Sequence, residues 1–299
     1  MAETDPAAAP TPAGFEPPRP TAFLGGQPAR TAAPVRLGAT DVAPVTLAGA
    51  VDALSDLIES QERHLVVTPN VDHLVLLEHD SEFAAAYGRA SLRVVDGAPL
   101  VLLARLLGTP VPGRIAGVDL TLSVLAAAER ERRSVFFLGG DPPVLQQAMG
   151  RLHGQYPNLV VSGSAAPTIE LEAVSPSEEE ALTAIRGAAP DLLVLFLGAP
   201  KQEKWFWRRA ALLPPTVALA VGGTVDLIAG AKRRAPQWIQ SVGFEWLWRL
   251  SQEPGRLGRR YLGRDPEFLR IAARQIWARR VRHDVDPDAL GRSPTPPSA

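Results

Sequence analysis

Six short apolar runs without polar interruption constrain the fold of this chain more than any other sequence feature. A run without alternation is typical of a strand buried on both faces, as in a parallel sheet. Helical patterns separate the runs. Ser175-Pro176 with Glu178 resembles a capping box, and Asp141-Pro142-Pro143 opens a helix in a similar way. The alternation predicts an α/β fold with a mostly parallel sheet and helices on both faces. The predicted strands are 64–68, 92–95, 134–138, 159–161, 192–197 and 216–221.

Glycine and polar residues follow each predicted strand. In open α/β sheets, ligands bind beyond the carboxyl ends of the strands. Glycines there let the backbone approach phosphates, and helix N-termini favour anions. A tight turn would explain any one of these glycines, but the whole set predicts a ligand pocket at this edge. The segments are 68–70, 96–97, 139–141, Gly163, 198–200 and 222–224.

The charge distribution is strongly asymmetric, although the net charge is only −1. Residues 232–283 contain 13 Lys or Arg against four acids, a charge of +9, so the remainder carries −10. This indicates an anionic partner, either phosphates or a membrane surface. Basic residues beside Trp, Phe and Leu suit an amphipathic helix in the bilayer interface, with packing on the core as the alternative for the tryptophans. The segment holds Trp238, Trp246, Trp248 and Trp277.

Several classes of protein are excluded or unsupported. The absence of cysteine excludes disulfides and cysteine-based metal sites or nucleophiles. There is no GxGxxG, and the glycines of 108–113 precede Arg114-Ile115 instead of the Lys-Ser/Thr of a P-loop. No two histidines share a helix face, and Asp284, Asp286 and Asp288 lie in a proline-rich tail, so we expect no metal site and no cofactor. Without a secretory signal or a membrane-spanning run, we expect a cytoplasmic protein.

The composition divides the chain into four parts. Residues 1–34 are rich in Ala, Pro and Thr and show no periodicity, and residues 284–299 have the same character. Both segments are predicted to be disordered tails. Residues 35–235 are predicted to form the α/β catalytic core. Residues 236–283 are predicted to form a basic, tryptophan-rich helical appendage.

From about Val35 to Leu262 the chain resembles the WecG/TagA/CpsF family of glycosyltransferases. The resemblance implies a Rossmann-like core with a helical appendage. It also implies metal-independent, inverting transfer of an N-acetylmannosamine-type sugar from UDP to a polyprenyl-diphosphate-linked N-acetylglucosamine in cell-surface polymer synthesis. The matching segments are TPNVDHL (68–74), VVDGAPLV (94–101), GRIAGVDL (113–120), FLGG (137–140), LVLFLGAPKQE (193–203), AVGGTVDLIAG (220–230), RRAPQWI (233–239) and EWLWRLSQEPGRLGRRYL (245–262).

The resemblance assigns catalytic roles to residues at the strand ends. Asp96 matches the family's catalytic Asp and would take the proton from the acceptor hydroxyl, which is worth about 10²–10⁴ in rate. The alternative is that Asp96 caps the following helix. Thr68 and Asn70 match positions lining the sugar and acceptor pocket, with turn and cap chemistry as their alternative. Arg114 would orient substrate by hydrogen bonds.

A second group of matching residues would bind the nucleotide. Gln202 would orient substrate, although an early helical position is also a plain structural preference. Gly222 would let the backbone approach the ligand, and Asp226 would hold the nucleotide's sugar or base, unless it is only a surface acid. Arginines would neutralise the UDP leaving group by bidentate hydrogen bonds, since the family uses no metal. These arginines are Arg249, Arg256 and Arg259, for which a solvated helix face is the alternative.

Other functions stay open at this point. The same fold could use another donor, such as UDP-glucose or a UDP-uronic acid, or could bind nucleotides without catalysis. A nucleic-acid binder is disfavoured because no binding module is recognisable. The expected partners are a UDP-sugar, a polyprenyl-diphosphate-linked acceptor and the inner leaflet of the plasma membrane, which the appendage would contact. A homo-oligomer is compatible with the sequence.

Overall fold

The computed structural model describes residues 33–232, 235–236, 248 and 254–285, and the side chains of 266–281 within the last range. The strands are β1 (Val35–Leu37), β2 (Thr40–Val42), β3 (Arg63–Val67), β4 (Leu92–Arg93), β5 (Ser134–Gly139), β6 (Val160–Ala165), β7 (Leu192–Phe196) and β8 (Thr216–Ala220). The helices are α1 (Leu47–Glu59), α2 (Val71–His79), α3 (Ser81–Gly88), α4 (Ala98–Leu106), α5 (Gly117–Glu131), α6 (Pro142–Gln155), α7 (Pro176–Ala188), α8 (Lys201–Arg209), α9 (Thr224–Ala229) and α10 (Pro254–Val285). In this part of the chain, no helix combines the length and apolarity needed to cross a bilayer.

The core is a six-stranded parallel sheet in the order β4-β3-β8-β7-β5-β6. Alternate residues of each central strand enter two separate hydrophobic clusters, one on each face. Val66, Val194 and Leu219 pack against α1, α5, α6 and α9. Leu65 and Leu193 pack against α2, α3, α7 and α8. Burial on both faces explains the continuous apolar runs and confirms the predicted Rossmann-like α/β fold.

A third hydrophobic cluster joins the C-terminal helix to the core. Phe268 and Ile271 of α10 are buried with residues of α2, α4 and the β1–β2 hairpin. Gln275 ties α10 to the hairpin: its Oε1 accepts the Gly38 N–H at 2.9 Å, and its Nε2 donates to the Arg36 carbonyl at 2.7 Å. The described part of the predicted appendage is therefore docked on the core along one face.

The predicted strands are confirmed, with one correction at a strand end and one at a helix cap. Gly163 is predicted to follow a strand but lies inside β6, where a Cβ would come within 2.5 Å of the Phe136 ring. Ser175 caps α7 as predicted, since its Oγ accepts the Glu178 N–H at 3.2 Å. The Glu178 side chain, however, accepts from Trp205 Nε1 and Arg209 Nε at 2.8 Å, so it serves the core.

The predicted division of the chain into domains is covered only in part by the described residues. The β1–β2 hairpin was not predicted, because strands of three residues are too short for an apolar pattern. Nearly all of the two predicted tails, and residues 237–247 of the predicted appendage, lie outside the described residues. The division into core, appendage and tails therefore stays a prediction.

Candidate active site

The carboxyl ends of β3 and β4 lie side by side and bring the predicted pocket residues together. The Asp96 N–H donates to the Pro69 carbonyl at 2.9 Å. A Cβ on Gly97 would lie 3.9 Å from the Asn70 Cα. Thr68 is buried at the end of β3, and Asn70 caps α2 by accepting the His73 N–H. Asn70 thus has the cap role that was its alternative, and it lies beside Asp96; its predicted contact with the sugar or the acceptor stays a prediction.

Asp96 does not cap the helix that follows it. The N-cap of α4 is Gly97, with a φ of +156° and no side-chain hydrogen bond. Asp96 Oδ2 instead accepts the N–H of Gly117, the first residue of α5, at 3.3 Å. This N-terminus favours negative charge. The alternative predicted for Asp96 is therefore wrong, and the carboxylate is oriented by a helix 21 residues further along the chain.

The segment before α5 lies against the same strand ends. The Ile115 N–H donates to the Val95 carbonyl at 2.8 Å, which places the half-buried Arg114 next to the end of β4. A Cβ on Gly117 would lie 3.4 Å from Thr224 Oγ1 at the start of α9. Gly117 therefore lets the β4, α5 and β8 segments meet, a role that was not predicted. Its position in the GRIAGVDL segment was the available signal.

Gln202 connects the turns that follow β7 and β8. Its side chain is buried, and its Oε1 accepts the N–H groups of Gly198 and Gly222, each at 3.1 Å. Both glycines have a positive φ, +76° and +49°, which residues other than glycine rarely adopt. Its Nε2 donates to Glu203 Oε1 at 3.0 Å. The structure thus gives Gln202 a bridging role, and its predicted substrate contact stays a prediction.

Asp226 lies at the start of α9, directly after the β8 turn. Its Oδ2 accepts from Lys232 Nζ at 2.6 Å, and its predicted contact with the nucleotide stays a prediction. The ion pair places an ammonium group close to the glycine turn 222–223. Lys232 was not predicted as a site residue, although an anion-binding pocket favours cations.

Glu203, next to Gln202, is a third residue, besides Gly117 and Lys232, for which the sequence predicted no role. Its side chain is fully buried, and burial raises its pKa from the ordinary 4.5 to about 7, against the opposing effect of the Gln202 hydrogen bond. The sequence Lys-Gln-Glu at the start of α8 fits the ordinary preference for an acidic residue in the first turn of a helix, so it did not indicate a buried role. Only packing distinguishes a buried acid from an exposed one at such a position.

Some predicted site residues cannot be placed. Arg249 lies outside the described residues, as do Trp238 and Trp246. Arg256 and Arg259 lie on α10, but their side chains are outside the described part. No cluster of three or more metal-binding side chains was found in the described ranges, and the absence of a metal cofactor stays a prediction.

The comparison with protein families identifies the family of the chain that carries this strand-end site. Residues 35–282 match the model of the Glycosyl transferase WecG/TagA/CpsF family. The chain belongs to this family. Membership confirms the resemblance and identifies the protein as a glycosyltransferase. In this WecG/TagA/CpsF glycosyltransferase, the matched region includes all the predicted site residues.

Curated relatives of this WecG/TagA/CpsF member include three that share one name, N-acetylglucosaminyldiphosphoundecaprenol N-acetyl-beta-D-mannosaminyltransferase. The protein from Staphylococcus aureus is 29% identical over 201 residues, covering 67% of this chain and 77% of the relative. That from Bacillus spizizenii is 27% identical over 199 residues, covering 67% and 75%. That from Bacillus subtilis is 25% identical over 211 residues, covering 68% and 80%.

Proposed function

We propose that this glycosyltransferase moves N-acetylmannosamine, with inversion, from UDP to a polyprenyl-diphosphate-linked N-acetylglucosamine. The observation that carries the proposal is the meeting of Asp96, Asn70 and the β7 and β8 glycine turns at one sheet edge, in a chain whose relatives bear the mannosaminyltransferase name. The acceptor in that name is a diphosphate-linked lipid, and the sugar it names is N-acetylmannosamine.

The proposed reaction needs one base and one set of cations. The Asp96 carboxylate takes the proton of the acceptor hydroxyl while the hydroxyl oxygen attacks the anomeric carbon. The bond from that carbon to the diphosphate breaks, and UDP leaves with the bonding electrons. Thr68, Asn70 and Arg114 orient the sugar and the acceptor. Gln202, Gly222, Asp226 and the arginines 249, 256 and 259 bind the nucleotide part, with Lys232 as a further cation.

A donor panel tests this function directly. The purified protein is incubated with a lipid-diphosphate N-acetylglucosamine and, separately, with UDP-N-acetylmannosamine, UDP-N-acetylglucosamine, UDP-glucose or UDP-glucuronic acid. We expect a lipid product heavier by one N-acetylhexosamine, together with released UDP, only with UDP-N-acetylmannosamine. If product forms only with UDP-glucose or only with UDP-glucuronic acid, that sugar nucleotide is the donor in place of UDP-N-acetylmannosamine. Binding of UDP without product from any donor would favour a non-catalytic nucleotide-binding protein.

We further propose that α10 binds the cytoplasmic face of the plasma membrane, where the lipid-linked acceptor is presented. Leu269, Ala273, Trp277 and Val281 are four residues apart, so they form one stripe along the helix. This stripe is exposed, with Trp277 69% and Leu269 65% accessible. Exposed arginines flank it, as expected for contact with anionic lipids. These arginines are Arg270, Arg274, Arg279 and Arg280.

Helix α4 extends the apolar surface toward the candidate active site. It begins two residues after Asp96, and its Leu102 and Leu106 are exposed and four residues apart. A Cβ on Gly108, just after α4, would lie 3.5 Å from an Arg279 nitrogen of α10. Both helices therefore present apolar side chains beside basic ones, with one end of α4 at the proposed catalytic base.

Replacing Leu269 and Trp277 together with alanine is expected to weaken binding to phosphatidylglycerol-containing vesicles at least about tenfold. Burying each such side chain contributes about 1.5–3 kcal/mol. Vesicle sedimentation measures the effect. A matched control replaces Val160 and Val161 together with alanine. These two residues are exposed on β6, the edge strand at the opposite side of the sheet from β4. Equal binding by the α10 variant and wild type would contradict the membrane contact.

A further inference from the structure

Glu203 is a fully buried acid with an incomplete set of hydrogen bonds. Its Oε1 accepts from Gln202 Nε2, and its Oε2 is buried without a hydrogen-bond partner among the described residues. A buried carboxyl group is costly unless its interactions compensate for lost hydration. A hydrophobic side chain would fit a position of this kind at lower cost. The retained acid therefore points to a task that an apolar residue cannot perform.

The task is found in the neighbouring amide. Gln202 must direct its carbonyl oxygen at the N–H groups of Gly198 and Gly222, because its NH₂ group would oppose two other donors. The NH₂ group then points the other way and needs an acceptor, which Glu203 Oε1 supplies. Glu203 thus stabilises the amide orientation that the two glycine N–H groups require.

The amide orientation in turn determines the spacing of two turns. A Cβ on Gly222 would lie only 3.1 Å from the Gly198 Cα, so the turns after β7 and β8 are in direct contact. The Gln202 backbone N–H also donates to the Gly198 carbonyl at 3.0 Å. One side chain therefore fixes both turns, and a shift of the amide would move both.

Resting on the proposed function, we propose that Glu203 is a positioning residue for the donor: it orients the Gln202 amide, which holds the turns after β7 and β8 in the geometry that receives the UDP-sugar. Glu203 itself does not touch the donor in this arrangement. Its effect reaches the ligand only through Gln202, and this dependence makes the role separable from a general contribution to stability.

The first test compares three residues at this position. Glu203→Met removes the acceptor at nearly constant length and is expected to raise the Kd for UDP, by calorimetry, and the KM for the UDP-sugar about tenfold. Glu203→Gln keeps an acceptor oxygen and should raise both values much less. Turnover at saturating donor should fall less than kcat/KM, because the reacting groups on β3 and β4 are untouched.

The matched control is Glu178→Met. Glu178 is also fully buried, also has one unpartnered oxygen among the described residues, and also contacts α8, through Trp205 and Arg209. Its replacement should lower the melting temperature without changing the Kd for UDP. If Glu203→Met leaves the Kd for UDP unchanged, or if both variants raise it equally, the proposal is overturned.

An exchange of the two side chains keeps the test decisive if Glu203→Met does not fold. Gln202→Glu alone sets two carboxyl groups against each other and should weaken UDP binding. Adding Glu203→Gln restores a donor–acceptor pair with reversed direction, because the amide now at position 203 can donate to the carboxylate now at position 202. The double variant should therefore recover most of the binding. No recovery would overturn the proposal. Failure of the wild type to bind UDP or transfer sugar would instead refute the proposed function.

Discussion

Replacing Asp96 with asparagine is expected to lower the rate of sugar transfer by about 10²–10⁴ while leaving UDP binding intact. The amide cannot take a proton from the acceptor hydroxyl at neutral pH. Its carbonyl oxygen can still accept the Gly117 N–H, so the local geometry is preserved. Steady-state release of UDP in the presence of the lipid acceptor measures the rate, and calorimetry measures UDP binding.

Asp52→Asn is the appropriate control for this variant. Asp52 is an exposed acid on α1, outside the strand-end segments that form the candidate site. It should transfer sugar at the wild-type rate. A wild-type rate in Asp96→Asn would remove Asp96 from the role of base. Loss of UDP binding in that variant would show that Asp96 supports the structure of the pocket.

The second large effect concerns the stability of the fold as a function of pH. Because burial raises the pKa of Glu203 to about 7, the folded protein resists ionising this group, whereas the unfolded chain ionises it near 4.5. The resulting cost is absent below about pH 4.5, grows as the pH rises and is complete above 7. It amounts to about 3 kcal/mol, from about 1.4 kcal/mol for each pH unit that separates the two pKa values.

Glu203→Gln isolates this contribution, because glutamine does not titrate. The free energy of unfolding of the wild type should fall by about 3 kcal/mol relative to that of the variant between pH 4.5 and 8. Urea unfolding of both proteins at intervals across this range measures the difference, and other titrating groups cancel in the comparison. A constant difference across the range would mean that Glu203 ionises equally readily in both states.

The sequence predicted the sheet well because its signal is local. Each central strand is buried on both faces, so it must be apolar at every position, and such runs are visible without knowledge of their neighbours. The order of the strands carries no such signal. β3 pairs with β4 and with β8, which begins about 150 residues further along the chain. That pairing depends on how the helices between the strands pack.

The candidate site shows the same division at the level of single residues. The position of Asp96 at a strand end was predictable, and so was its closeness to Asn70. Its hydrogen bond to Gly117 was not, because this bond depends on where α5 starts in space. The role of Gln202 was assigned from resemblance as a substrate contact, while its two acceptor bonds to glycine N–H groups appear only once β7 and β8 are adjacent.

By itself, the sequence determined the family, the parallel sheet with helices on both faces, and the edge at which polar and glycine residues collect. These properties depend on residue type and on spacing along the chain. The tertiary structure alone decided that Asp96 meets α5, that Glu203 is buried against Gln202, and that α10 docks on the β1–β2 hairpin with its Trp277 stripe exposed. Burial and hydrogen-bond partners depend on which distant segments become neighbours, and no local pattern contains that information.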